Sequence, residues 1–139
     1  MKCLHLVPIL FIVGILSGCG GSGKDEHPVR GRVHNGGEAL TITSDIPGAA
    51  YVEISFYPLS DTGTADEARV MLATAEADGS FSVEGESGGG LAPGKYKVEI
   101  RQWDPYPDND KLKGKFSLKN SKIEVTVPSD SYDYDVSAL

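Results

Sequence analysis

An all-β sandwich of about seven strands is the fold this sequence predicts, and three observations predict it. Apolar and polar residues alternate with a period of two through most of the chain after residue 28. Dipeptides suited to tight turns punctuate the alternating runs. No stretch of three helical turns carries apolar residues at helical spacing. Residues 65–75 come nearest, but their apolar positions run together instead of recurring at i, i+3, i+4.

The elements follow in order. Val29, Gly31 and Val33 alternate with Arg30, Arg32 and His34, and Asn35-Gly36 closes that strand with a turn that tolerates positive φ. Val52, Ile54 and Phe56 alternate with Tyr51, Glu53, Ser55 and Tyr57. Residues 68–77 form a further strand whose facing is ambiguous across Val70-Met71-Leu72-Ala73. Asp78-Gly79 turns the chain into Phe81 and Val83, which alternate with Ser80, Ser82 and Glu84. Pro47-Gly48, Gly88-Gly89-Gly90 and Pro93-Gly94 are breaks. Tyr96, Val98 and Ile100 then alternate with Lys95, Lys97, Glu99 and Arg101. Ile123, Val125 and Val127, followed by Tyr132, Tyr134 and Val136, complete the set. Apolar-in, polar-out alternation of this kind belongs to antiparallel sheets with one wet face.

Composition narrows the function. At 139 residues the chain is one domain in size, too short for a barrel enzyme or a two-domain cofactor enzyme. Its formal net charge is −7 and its pI is near 4.8, with no basic cluster. Nucleic acid is therefore not an expected partner, because phosphate binding needs concentrated positive charge.

The first 18 residues read as an address. Lys2 is a short positive region, and residues 4–16 are a mostly apolar run of thirteen. A membrane-spanning helix needs roughly 20 such residues, so this run fits a signal peptide. Leu16-Ser17-Gly18-Cys19 resembles the lipobox of bacterial lipoproteins. The resemblance implies cleavage before Cys19 and acylation of its thiol, with a soluble secreted protein as the alternative. Residues 19–27, from Cys19 through the glycine-rich run to His27, read as a flexible tether. Gly20 stands where an aspartate commonly retains lipoproteins in an inner membrane, which points to an outer membrane. Cys3 would leave with the leader and Cys19 would carry lipid, so no disulfide is expected in residues 28–139.

Several segments of that domain carry a second resemblance. They are Val29-Arg-Gly-Arg-Val33, residues 47–58, the Asp78-Gly79-Ser80-Phe81 hairpin, Pro93-Gly94-Lys95-Tyr96-Lys97-Val98 and the closing residues 121–128. Together they resemble the carboxypeptidase regulatory-like (transthyretin-like) domain of small bacterial lipoproteins. The resemblance implies a prealbumin-like Greek-key sandwich over residues 28–139 and carries over no catalytic residue. Residues 38–46 and 103–115 are where this chain departs from the family pattern.

Candidate chemistry is sparse. Gly85-Glu86-Ser87-Gly88-Gly89 matches the G-x-S-x-G pattern, but Gly90, Pro93 and Gly94 forbid the helix that motif needs, and His27 and His34 both precede Ser87. His27 and His34 have no zinc-ligand spacing and read as solvated, as do Asp133 and Asp135. No enzyme activity and no cofactor are expected. The run from Trp103 to Asp110 is the most suggestive stretch. Parity places Trp103 outward, where with Tyr106 it would stack on a sugar ring or anchor a protein. The high average burial of tryptophan favours instead Trp103 as a lid on the core. Asp104, Asp108 and Asp110 are weak Ca²⁺ candidates, since the hard oxygens are present without the D-x-D-x-D-G spacing. The expected function is a lipid-anchored, non-catalytic interaction or structural module of the cell envelope. Its partners would be the membrane, through lipid, and an envelope protein or polysaccharide. The alternative is a carbohydrate-binding module built on residues 103–110.

Overall fold

Two β-sheets face one another across a core of aliphatic and aromatic side chains. The computed structural model describes residues 25–40, 42, 44 and 46–139. The expected leader, the lipobox residues Leu16, Ser17 and Gly18, and Cys19 lie outside the described residues. Among the described residues no helix is long and apolar enough to cross a membrane.

The described residues form eight strands: β1 (Val29–Asn35), β2 (Glu38–Ala39), β3 (Tyr51–Pro58), β4 (Met71–Thr74), β5 (Ser80–Val83), β6 (Gly94–Trp103), β7 (Glu124–Val127) and β8 (Asp133–Asp135). The first sheet centres on β1, which pairs antiparallel with β2 and β5. The second runs β4-β3-β6-β7, antiparallel throughout. β6 returns to lie beside β3 after β4 and β5 have intervened, the long return of a Greek key. Residues 65–75 hold one short 3-10 turn, Glu67–Arg69, capped by Asp66, and then β4.

One pairing departs from the expected antiparallel pattern. β8 lies parallel to β1, with Val33 opposite Tyr134. Arg32 N donates to Tyr132 O on that edge, while Val33 N donates to Gly79 O on the other. Successive residues of a strand direct their amides to opposite edges, so β5 and β8 flank β1.

The alternation places the core. Val33, Ile54, Phe56, Val98 and Ile100 are fully buried, and in β4 the ambiguity resolves with Ala73 inward and Leu72 outward. Leu40, Leu91 and Phe116 join the core from connections. Gly31 occupies an inward position of β1, directly opposite Phe81 of β5. A β-carbon there would fall on the Tyr132 carbonyl oxygen and 2.6 Å from Phe81 Cζ. Phe81 in turn stacks on Tyr134 with ring centroids 6.1 Å apart. Glycine at residue 31 is thus a requirement of close packing between β1, β5 and β8.

Residues assigned to the tether are already part of the domain. His27 and Leu91 exchange main-chain bonds of 2.8 and 2.9 Å. The Glu26 carboxylate accepts from Ser87 N at 3.0 Å and Gly89 N at 2.8 Å. The physical reason is the glycine-rich loop itself: its main-chain amides point to one side and need an acceptor. Glu26 supplies it, and His27 is half-buried, not solvated.

Candidate functional site

The outer face of the second sheet concentrates the chemistry. β3 and β6 pair in a register that sets Tyr51 opposite Trp103, Glu53 opposite Arg101, Ser55 opposite Glu99 and Tyr57 opposite Lys97. Alternation puts all eight side chains on the face away from the core. Glu99 is buried even there, because Tyr57 Oη donates to its carboxylate at 2.8 Å and Arg101 Nε donates to its other oxygen. Burial, then the bond to Glu99, pushes the Tyr57 phenol well above its ordinary range.

Trp103 keeps the outward parity of β6 and is half-buried on that face; it is not the lid of the core. Arg101 lies over its ring at 5.5 Å, and Tyr106 meets it edge-on at 5.6 Å. The buried indole Nε1 has no hydrogen-bond partner among the described residues. Burial first, and the charge of Glu99 second, raise the Glu53 carboxyl above the usual carboxylate range. Burial, together with Glu53 and Tyr106, pushes the Tyr51 phenol up to about 12.

The loop that follows β6 folds over this face. Tyr106 N donates to Ala49 O at 2.7 Å, tying the loop to the segment before β3. Tyr106 then rests against Tyr51, with centroids 5.3 Å apart, and stays half-exposed. Tyr51, Trp103 and Tyr106 form a contiguous aromatic platform with Glu53 beside it.

Asp110 organises the loop. Its Oδ1 accepts from Gln102 N at 3.1 Å and Leu112 N at 3.0 Å, and its Oδ2 accepts from Gly114 N at 2.9 Å and Arg101 at 3.3 Å. With its side chain 7% exposed, it has no oxygen left to offer a cation. Asp104 lies 3.4 Å from Lys111 Nζ, and Asp108 is exposed. Among the described residues no three His, Cys, Asp or Glu side chains converge as metal ligands. The Ca²⁺ candidates Asp104, Asp108 and Asp110 therefore do not form one site.

The remaining polar candidates are structural. Ser87 lies in the loop that holds Glu26. His34 is not solvated: its Nδ1 accepts from Gly37 N at 3.2 Å and its Nε2 lies 3.1 Å from Asp133. Asp135 is not simply solvated either. Its Oδ1 accepts from Gly36 N, Ser137 N and Ser137 Oγ. Those bonds, Gly36 N foremost, hold its carboxyl down at about 2. Sequence reasoning singled out Trp103 and Tyr106 but passed over Tyr51 and Glu53, which alternation marked as outward without showing what lay across from them.

Position along the fold matters as much as composition. His27 enters beside Leu91, three residues before β6 begins, and Trp103 ends β6. Ten extended residues span about 30 Å, so the chain enters at one end of the sandwich and the aromatic platform stands at the other.

Comparison with protein-family models, with curated protein sequences and with solved structures returns no match to this chain.

Proposed function

We propose that the chain is a lipid-anchored, non-catalytic module of the cell envelope that holds an aromatic platform away from the membrane. The observation that carries this reading is the polarity of the fold, with Glu26 and His27 fastened at one end of β6 and Tyr51, Trp103 and Tyr106 gathered at the other. Acylation at Cys19 would leave only the short run to Asp25 as free tether, a reach of roughly 15 Å. A short leash on one end of a rigid sandwich directs the far end outward. Several acyl chains, at about 0.8 kcal/mol for each buried methylene, would hold the leash firmly. The Gly20 position supports an outer membrane as the site. The two-sheet order is the arrangement that a likeness to carboxypeptidase regulatory-like domains implies.

The test uses the single tryptophan of the chain. Palmitate labelling should mark the wild-type chain and not Cys19→Ser. In vesicles, lipid-borne quenchers should leave Trp103 emission unchanged. An unlabelled wild-type chain would overturn the anchor, and quenched Trp103 emission would overturn the orientation.

A second reading has its own observation. Tyr106 is half-exposed beside Tyr51 and Trp103, an arrangement that suits stacking on a sugar ring. Under this reading the module binds an envelope polysaccharide without Ca²⁺, because Asp110 is occupied by the loop. Glycan-array binding lost in Tyr106→Ala would support it, and identical binding by the variant would count against it.

A further inference from the structure

Five strands of the described fold present an outer edge, and four of those edges are blocked. β2 is two residues long, and β8 carries Asp133 and Asp135. β7 carries Glu124, with Lys122 before it and Pro128 after it. The outer edge of β5 is capped at both ends, where Glu76 N donates to Ser80 O and Gly90 N to Glu84 O. Short strands, charges, prolines and local bonds are the means by which proteins keep sheet edges from pairing.

β4 has none of these within the strand itself, although Arg69 precedes it and Glu76 follows it. Its sequence is Met71-Leu72-Ala73-Thr74, without charge or proline. Ala75 N donates to Val52 O, so the odd-numbered residues turn their main-chain groups to β3. Leu72 and Thr74 direct their N–H and C=O groups away from β3, and among the described residues nothing pairs with them. Leu72 is also 57% exposed. Beside this edge lies an open cleft of about 890 Å³, with Met71, Ala73, Phe81 and Ser82 in its lining and Arg30, Glu76 and Glu84 among its charged members. The cleft opens onto the flank of the core.

We infer that the β4 edge is a docking site for an extended polypeptide strand of a partner protein. The unpaired groups identify the occupant. Two N–H and C=O pairs, two residues apart on one edge, are matched in spacing and direction by the main chain of another strand. Side chains of such a strand alternate between its two faces, so every second residue would enter the cleft against Ala73 and Phe81. The partner segment is therefore extended, with small or β-branched apolar residues at the alternate positions that face Ala73 and Phe81. This surface is separate from the aromatic platform and does not depend on it.

The test uses the full chain in mild detergent and a capped peptide of sequence Lys-Thr-Val-Thr-Val-Thr-Lys. Its control is the same peptide N-methylated on alternate residues, which keeps the side chains and removes the donors. Amide exchange followed by NMR should slow by about tenfold or more at Leu72 and Thr74 with the first peptide and not with the second. Leu72→Lys alters an exposed side chain, so the melting temperature should hold while affinity falls by about tenfold. Equal binding of the methylated peptide, or no protection at Leu72 and Thr74 at millimolar peptide, would overturn the assignment. So would protection that grows with protein concentration alone, which would give the edge to a second copy of the chain.

Discussion

Replacing Asp110 by alanine should unfasten the loop that completes the aromatic platform. The carboxylate accepts three main-chain amides, of Gln102, Leu112 and Gly114, and one guanidinium contact from Arg101. A hydrogen bond to a charged group contributes about 1.5–3 kcal/mol net where both partners are dry. Here the loop borders solvent, freed amides regain water, and Arg101 keeps its bond to Glu99. The low end of the range for two effective bonds applies, about 3 kcal/mol in all. For a domain of this size that is a fall in melting temperature of about 12 °C. Asp110→Asn should lose about half as much, because its remaining oxygen still serves Gln102 and Leu112 while its amide group faces the Gly114 donor. Urea denaturation followed by Trp103 emission and by far-ultraviolet circular dichroism measures both variants. Trp103 should also shift to the red in Asp110→Ala before global unfolding, as the loop lifts from the ring. An alanine variant that unfolds with the parent, or an asparagine variant worse than alanine, would refute the assignment of Asp110 as the organiser of the loop.

Four further outcomes are expected. Gly31→Ala should lower stability by about 3 kcal/mol, since the added methyl meets a main-chain carbonyl that cannot rotate away; a thermal melt within 2 °C of the parent would contradict this. Tyr134→Phe should be neutral or raise stability by about 1 kcal/mol, because the buried Tyr134 hydroxyl has no partner among the described residues, and chemical denaturation measures it. Asp135, held at about 2 against 3.8 when unfolded, contributes stability that is present above pH 3.8 and lost as pH falls toward 2. Melting curves of Asp135→Asn should therefore be flatter than the parent across that window. Glu53 behaves oppositely: its carboxyl is raised from 4.5, so stability declines as pH climbs above that value, and Glu53→Gln should melt above the parent at pH 7 and converge with it below pH 4.5.

Much of the architecture was legible because exposure to water acts on residues one at a time. Val52, Ile54 and Phe56 declare an inward face whatever lies opposite them, and six alternating runs, with the ambiguous stretch 68–77, became strands within a few residues of the expected bounds. β2 was too short to show any alternation. The site was legible only in part. Trp103 and Tyr106 stood out as aromatics in an acidic loop, but Tyr51 and Glu53 became their neighbours through the register of β3 on β6. Asp110 read as a solvated loop carboxylate and at most a weak cation ligand, because a carboxylate in sequence carries no sign of the amides that will reach it. His34, Asp135 and Glu26 were misread for the same reason.

The sequence by itself determined which residues face inward along the six alternating runs, where the chain turns, and how acidic its surface is. These follow from period, from glycine and proline geometry, and from charge, all of which act locally. Only the tertiary structure decided that β8 runs parallel to β1, since alternation reads the same in either direction along a strand. It also decided that Gly31 must lack a side chain, that the glycine loop closes on Glu26, and that β4 is left with an unpaired edge. Each of these depends on which strands meet, and strand pairing joins residues far apart in the chain through main-chain groups common to every residue.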